Sequence, residues 1–456
     1  MSSRNAIRTT PSKQPADGHP RLAIVGRGPA GMATAIALLR RLRRPFHLWM
    51  IDAADFPQSF GNGPAGQALM SERAGQLSAL ADRPLDFVDW LKSGLGGGRG
   101  AVLALRGFEN VYVPRSVFRD YLTARFGEAF AARRDTTVQT VSAAVTAVRT
   151  ASGGRLCLTL DDGEEMAFDQ VFLATGHGRQ GGESASWQAA ERLLWSRERK
   201  ADAPLLLAGD GPRMAAILLH LRASGHAGPI RILSDGGRIP EPHAATLLDP
   251  LTPAMSAATG LAETLRHLRA DGARTVEAGG SWQAMIDGLN CQWPALWRAL
   301  PPEARKRYWR HLRTVHRIHS ERIAPELHGR LLRDLRHPAT ELVDARILGV
   351  AADGVFVRRR GSQETDVMPG RLIDCREDVA QPADGLLGEP GTAMQVEDDG
   401  RLTGWGAAAP GLHVLGRAAG CLRPDTRLFA DTVRQIYRAA TGLDAARTDL
   451  SARTLA

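Results

Sequence analysis

Short, wholly apolar runs alternate with longer amphipathic ones along residues 21–52. Leu22-Ala-Ile-Val25 has the continuous apolar character of a strand buried on both faces, and it runs straight into Gly26-Arg-Gly28-Pro-Ala-Gly31. A helix-forming stretch, MATAIALLRRL, follows, and a second apolar run from Phe46 to Ile51 stops at Asp52. The order strand, glycine turn, helix, strand predicts a βαβ unit. It recurs in mid-chain, where Pro204-Leu-Leu-Leu-Ala208 leads through Gly209-Asp-Gly211 into the helical run AAILLHLRASGH and then the strand IRILS.

Weaker patterns lie around these two units. Residues 53–80 read as an irregular connection with Gly61-Asn62-Gly63-Pro64 at its tip. Residues 84–92 predict a short amphipathic helix, and Val113 to Leu122 another, with Pro114 at its start. Segments 137–149 and 155–160 alternate as strands across Ser152-Gly153-Gly154, and Asp161-Asp162-Gly163 signals a hairpin. Val171-Phe-Leu-Ala-Thr175-Gly176-His177 is a buried-type strand ending in a small-residue turn. Gly411-Leu-His-Val-Leu-Gly416-Arg-Ala-Ala-Gly420 repeats that pattern before a last helix near 427–441. Residues 282–335 predict a helical segment rich in Trp and Arg.

Composition narrows the class. A chain of 456 residues with 43% hydrophobic and 23% charged residues reads as globular, with two or three structural units. No run reaches the roughly 20 apolar residues that span a bilayer. Residues 1–20 are polar, carry Pro11, Pro15 and Pro20, and read as a disordered tail without a secretory core. Cys157, Cys291, Cys375 and Cys421 show no CxxC spacing, so they suggest neither a metal site nor a disulfide framework, and a reducing cytoplasm is the simplest compartment. Only four of the 58 basic residues are lysines (Lys13, Lys92, Lys200, Lys306), and acids are interspersed among the arginines. The net charge of +9 therefore argues for anionic cofactors and substrates rather than for nucleic acid. His311, His316 and His319 sit in the most basic stretch, with no carboxylate or cysteine nearby to complete a metal ligand set. Nucleophile-elbow, P-loop and HExxH motifs are absent from the sequence.

The candidate chemistry is nucleotide binding. Gly26 permits the tight turn, Gly28 lets backbone approach a pyrophosphate, Gly31 lets helix and strand pack closely, and Asp52 can accept a bond from a ribose hydroxyl. In the second turn Gly209 and Gly211 match the first two glycines, Met214 replaces the third, and Asp210 is an odd neighbour for phosphate. Asp235, at the end of the following strand, favours NADH over NADPH by repelling a 2′-phosphate, while Arg238 works against that preference. Two such turns predict one flavin and one nicotinamide. The expected division is a tail at 1–20, an FAD domain from 21–195 and 370–456, and an inserted NAD(P) domain at 196–369 that carries the helical segment.

The chain resembles the FAD/NAD(P)-binding flavoprotein monooxygenases that include an FAD-dependent urate hydroxylase and an L-aspartate N-monooxygenase. The resemblance spans about 21–440. It rests on Ile24-Val-Gly26-Arg-Gly28-Pro-Ala-Gly31, Leu69-Met70-Ser71, Asp86-Phe87-Val-Asp-Trp90-Leu91, Val113-Pro114-Arg115 to Tyr121-Leu122, and Ala174-Thr175-Gly176-His177. It continues through Gly209-Asp-Gly211 with Met214, and from Leu296-Trp297-Arg298 through Arg310-His311-Leu312-Arg313 to His316-Arg317. Two features depart from the family: Gly61 to Ala65 replace a tyrosine-bearing turn, and Ser234-Asp235 stand where paired arginines are common.

The resemblance implies an α/β two-dinucleotide-binding-domain flavoprotein, with a Rossmann-like FAD domain and an inserted NAD(P)-binding domain. It implies NAD(P)H-driven oxygen insertion through a flavin C4a-hydroperoxide, with a small anionic substrate and O2 as partners. Urate hydroxylation to 5-hydroxyisourate stands first and N-hydroxylation of an amino acid such as L-aspartate second. An FAD-dependent reductase without oxygen insertion is the alternative from another class. FAD contacts are expected from Gly26, Gly28, Gly31, Asp52, Arg115, Gly176 and Gly416, and nicotinamide contacts from Gly209, Gly211 and Asp235. Arg73, His177 and Arg423 are the candidates nearest the chemistry.

Overall fold

The computed structural model describes residues 18–53, 63–94, 107–176, 183–195, 204–253, 260–351, 353–377, 385–388, 394–405, 411–423 and 428–454. They divide into two compact units, one formed by Met1–Gly182 with Asp378–Ala456 and the other by Glu183–Glu377.

The first unit is built on a five-stranded sheet. Strand β1 (Arg21–Val25) is followed by helix α1 (Pro29–Arg41), β2 (His47–Ile51) and a short helix α2 (Gly63–Gln67), while β14 (Gln395–Val396) and β15 (Leu402–Thr403) form a separate two-stranded ladder. The sheet is completed by β3 (Thr137–Val141), β7 (Gln170–Leu173) and β16 (Leu412–Val414) in the order β16-β7-β1-β2-β3, all parallel. Alternate residues of β1 serve two cores. Leu22 and Ile24 pack with α1, with α3 (Asp86–Gly94) and α4 (Arg115–Ala131), and with the C-terminal helix α12 (Phe429–Thr454). Ala23 and Val25 pack instead on an antiparallel meander of β4 (Val145–Thr150), β5 (Leu156–Leu160) and β6 (Glu165–Phe168). Strands covered on both faces need no polar alternation, which is why these runs are continuously apolar. The segment 137–149, which alternates as one strand in the sequence, is two: β3 joins the main sheet and β4 the meander. The hairpin at Asp161–Gly163 is present, with Gly163 at φ +86°.

The second unit repeats the plan. Strand β8 (Leu205–Ala208), helix α6 (Pro212–Ala223) and β9 (Ile230–Ser234) lie in a sheet ordered β12-β11-β10-β9-β8-β13. Here β10 is Thr340–Ala351, β11 Gly354–Arg359, β12 Asp366–Pro369 and β13 Arg371–Asp374. Thr340 to Asp344 pair in parallel with β9, and Ala345 to Ala351 pair antiparallel with β11. The helical segment consists of α7 (Leu261–Glu277), α8 (Trp282–Ala299), α9 (Pro302–Arg307), a π-helical turn at Tyr308–Leu312, α10 (Arg313–Ser320) and α11 (Pro325–Leu335).

The chain crosses between units at 182/183 and 377/378, rather than at the 195/196 and 369/370 boundaries the sequence suggested. Helix α5 (Glu183–Trp195) packs on α6, and β13 pairs with β8, so both belong to the second unit. Among the described residues no helix is long and apolar enough to cross a membrane.

Candidate functional site

Register brings the first set of residues to one edge. Val25 lies opposite Ile51 and Leu173, and Leu173 opposite Val414, so Gly26, Asp52, Ala174 and Leu415 all follow the carboxyl ends of neighbouring parallel strands. Ligands of open α/β sheets bind at this edge. Gly26 has φ +101°, and a Cβ there would stand 2.5 Å from the carbonyl oxygen of Ala174. A Cβ on Gly31 would run into the carbonyl of Gly26, so helix and turn touch backbone to backbone. At Gly28, the residue capping α1, a Cβ would meet nothing among the described residues within 4 Å. Asp52 accepts a hydrogen bond from the Arg27 backbone N–H at 2.6 Å, which fixes its carboxylate against the turn. The Thr175 Oγ1 is buried and has no hydrogen-bond partner among the described residues. Open space at a helix start, close glycine packing and an orphaned hydroxyl fit a bound dinucleotide.

The adjacent wall comes from two segments far apart in sequence. Met70 N–H donates to Val113 and Ala74 N–H to Val111, both at 2.9 Å, and Arg115 N–H donates to Ala68 at 3.0 Å. Arg73 is buried, donating from Nε to the Tyr112 hydroxyl at 2.9 Å and from Nη1 to Asn110 Oδ1 at 3.2 Å. Phe429 N–H, at the start of α12, donates to Glu72 Oε1 at 2.6 Å. Gly416 has φ +58°, and its N–H donates to Gln435 Oε1 at 2.8 Å. Arg423 donates to the Glu397 carbonyl at 2.7 Å and to Asp398 at 3.1 Å. Arg73 and Arg423 therefore tie chain segments together. Gly176, at φ +62°, ends the β7 turn, whereas His177, Gly61 and Asn62 lie outside the described residues.

Sequence reasoning missed the anchor below this wall. Asp86 is buried at the start of α3, accepting from the Tyr121 hydroxyl at 3.0 Å and from Arg125 Nε at 2.6 Å. The Ala79 N–H donates to the same hydroxyl at 3.0 Å, and burial raises the Tyr121 pKa. Tyr121 thus stays a neutral hydroxyl that joins α3, α4 and the 78–80 turn.

The second turn has a different interior. Gly209 has φ +133°, and a Cβ there would lie 3.0 Å from the Cys375 carbonyl. The neighbouring Cys375 thiol is fully buried, and that burial raises its pKa. Asp210 is buried in an ion pair with Arg317 of α10, whose Nη1 lies 3.9 Å from Glu321. That pairing accounts for an acid inside a phosphate-type turn. Arg213 is wholly buried, with its Nη1 donating to the Arg376 carbonyl at 3.3 Å and its Nε 4.0 Å from Glu377 Oε1. At Gly211, which caps α6, the place of a Cβ is taken by the Glu377 carboxylate, with Arg317 Nη1 3.0 Å away. As it stands, this turn does not fit a pyrophosphate at Gly211.

At the end of β9, Asp235 is exposed, as is Arg238. The Arg238 N–H donates to Ser234 Oγ at 2.9 Å, closing the turn. Gly236 N–H donates to Asp344 Oδ1 at 2.9 Å, so a second carboxylate, which the sequence did not single out, stands beside Asp235. In the helical segment the Tyr308 hydroxyl lies 2.9 Å from His316 Nδ1, and His316 Nε2 lies 2.9 Å from Asn290 Oδ1. His319 Nδ1 donates to the Val315 carbonyl at 2.7 Å. Among the described residues no group of three His, Cys, Asp or Glu side chains is placed to hold a metal.

Residues 23–178 match a family model described as FAD-NAD(P)-binding. No curated protein matches the sequence. L-lysine 6-monooxygenase from Pseudomonas syringae is similar in structure, at 17% identity, 94% of this chain, 100% of that chain and a TM-score of 0.57. The ornithine N-hydroxylase of Kutzneria sp. 744, in a complex named with reduced FAD, NADP+ and L-ornithine, gives 17%, 94%, 100% and 0.54. The FAD-bound cadaverine monooxygenase of Erwinia amylovora gives 13%, 93%, 95% and 0.54. The chain has the α/β fold of the FAD/NAD(P)-binding flavoprotein monooxygenases, with a Rossmann-like parallel sheet.

Proposed function

From the fold of an FAD/NAD(P)-binding flavoprotein, we propose that this chain is an FAD-dependent monooxygenase that N-hydroxylates a small amino acid or amine. The overall change is R–NH2 + NAD(P)H + H+ + O2 to R–NHOH + NAD(P)+ + H2O. The observation that carries the reading is the first turn. Among the described residues nothing crowds Gly28 at the start of α1, on the sheet edge that also carries Asp52 and Thr175. The cofactors, when bound, supply the redox chemistry, and the protein binds, orients and excludes water.

In this reading Gly26, Gly28 and Gly31 hold the FAD pyrophosphate and Asp52 its adenosine ribose. Arg115, Thr175, Gly176 and Gly416 complete that site. The nicotinamide dinucleotide is assigned to the Gly209–Gly211 turn, where it fits at Gly211 only once the Glu377 carboxylate has moved away. Its ribose end faces Asp235 and Asp344, which favours NADH over NADPH through the repulsion a 2′-phosphate would meet. Arg73 and Arg423, already committed to the chain, act as supports of the wall rather than as substrate ligands.

The likeness to lysine, ornithine and cadaverine hydroxylases across both units favours an amine nitrogen as the acceptor over the urate ring that the family resemblance had put first. The test is NADH and NADPH consumption in air by the FAD-loaded protein, with lysine, ornithine, cadaverine, L-aspartate and urate in parallel. A hydroxylamine product from one of the amines is expected. Stimulation by urate alone would overturn the choice of substrate. Nicotinamide oxidation without any hydroxylated product would return the protein to the electron-transferring reductases.

A further inference from the structure

The two turns share a sequence pattern and differ in what fills them. At Gly28 a Cβ would meet no atom of the described residues within 4 Å. At Gly211 the equivalent space holds the carboxylate of Glu377, the residue that ends the second unit. Glu377 comes from beyond β13 and reaches this spot because β13 pairs with β8 in parallel, bringing Cys375 and Arg376 beside Gly209. Its side chain is 10% exposed.

Two buried guanidiniums stand at the same place, Arg213 from the first turn of α6 and Arg317 from α10. Removing a guanidinium from water is costly unless an anion accompanies it. Asp210 accompanies Arg317, and Glu377 Oε1 stands 4.0 Å from Arg213 Nε. A phosphate would satisfy the same donors, because guanidiniums and helix-start amides recognise carboxylate and phosphate oxygens alike.

We propose that Glu377 is a built-in competitor for the pyrophosphate of the nicotinamide dinucleotide, and that the dinucleotide enters by displacing this carboxylate from Gly211. The inference rests on assigning the second turn to the nicotinamide nucleotide. The side chain holds the site in a charge-balanced state when no nucleotide is there, and it lowers the affinity that the two arginines would otherwise give. Glu377 is thus a specificity-determining residue, setting how strongly the turn prefers a phosphate to its own anion.

The experiment is direct titration of the FAD-loaded protein with NADH and NADPH, followed by tryptophan fluorescence and calorimetry, for the wild type and E377Q. E377Q keeps the shape and hydrogen-bonding reach but loses the charge. Its Kd for both nucleotides should fall about tenfold, equivalent to one decade of affinity. Its FAD content should stay at the wild-type level. As a second readout, inorganic pyrophosphate should raise the melting temperature of E377Q more than that of the wild type. An unchanged or higher Kd in E377Q, with the wild type binding normally, overturns the competitor role. If neither protein binds either nucleotide, the assignment of the second turn fails and the competitor role falls with it.

Discussion

Arg317 and Asp210 form a buried ion pair although 107 positions separate them in the chain. One is a helix residue of the Arg-rich segment and the other the middle residue of a glycine turn. The pair joins the helical segment to the second glycine turn within the second unit, and the basic residue at this point is an internal strut.

Arg317→Met should therefore leave the Asp210 carboxylate buried and uncompensated. The expected loss is about 3–5 kcal/mol of stability, read from the urea midpoint. Adding Asp210→Asn to the same protein should recover part of that loss. A single variant as stable as the wild type would show that the pair contributes nothing.

Gly28 and Gly31 should separate binding from folding. Among the described residues, the methyl of Gly28→Ala meets no atom within 4 Å beyond its chain neighbours and its own helix backbone, so the protein should fold with an unchanged melting temperature and purify with little FAD. Gly31→Ala drives a methyl into the Gly26 carbonyl and should cost about 1–3 kcal/mol in the protein itself. Flavin absorbance and thermal melting of the two variants together check both halves.

The carboxylates of Asp235, just after β9, and of Asp344, where β10 stops pairing with β9, make a prediction about the reductant. Asp235→Ala removes the exposed member, and the ratio of kcat/KM for NADPH to that for NADH should rise about tenfold, close to the 1.4 kcal/mol that one decade represents. An unchanged ratio would mean that Asp235 does not face the ribose.

His413 sets a pH dependence for the first unit. Its ring is buried on β16, stacks on Phe172 at 4.9 Å, and donates from Nδ1 to the Asp399 carbonyl at 3.2 Å. Burial lowers its pKa, against the smaller opposing effect of Asp399. The unfolded chain therefore takes up this proton first, below its ordinary pKa of about 6.5. The associated stability is complete above that pH and is lost as pH falls toward the folded value, by at most about 1.4 kcal/mol per pH unit. Urea midpoints between pH 7.5 and 5 should show this slope in the wild type and a shallower one in His413→Gln.

What could be read from sequence follows from how local each feature is. The first turn was legible because Gly26, Gly28 and Gly31 act on one another within six positions, and β1 is a continuous apolar run. The interior of the second turn was not, since Arg317 and Glu377 arrive from α10 and from beyond β13. Asp86 and Tyr121 stood out only as parts of a resemblance; their shared hydrogen bond needs α3 laid against α4. Period-two alternation at 137–149 cannot tell which sheet a strand will join, so β3 and β4 read as one. The early crossing at 182 was hidden because α5 has the same amphipathic character as the helices before it.

The interruption of the first unit by residues 183–377 has a consequence for how the protein is made. Strand β7 is paired with β1 on one side and waits for β16 on the other, and α12 covers much of the same core. At roughly 5–20 residues per second on the ribosome, about ten to forty seconds pass while the inserted unit is made. During that interval β7 is an open sheet edge beside uncovered apolar surface, a template for unwanted pairing. Until β16 and α12 are made, the first unit can neither close that edge nor bury that face.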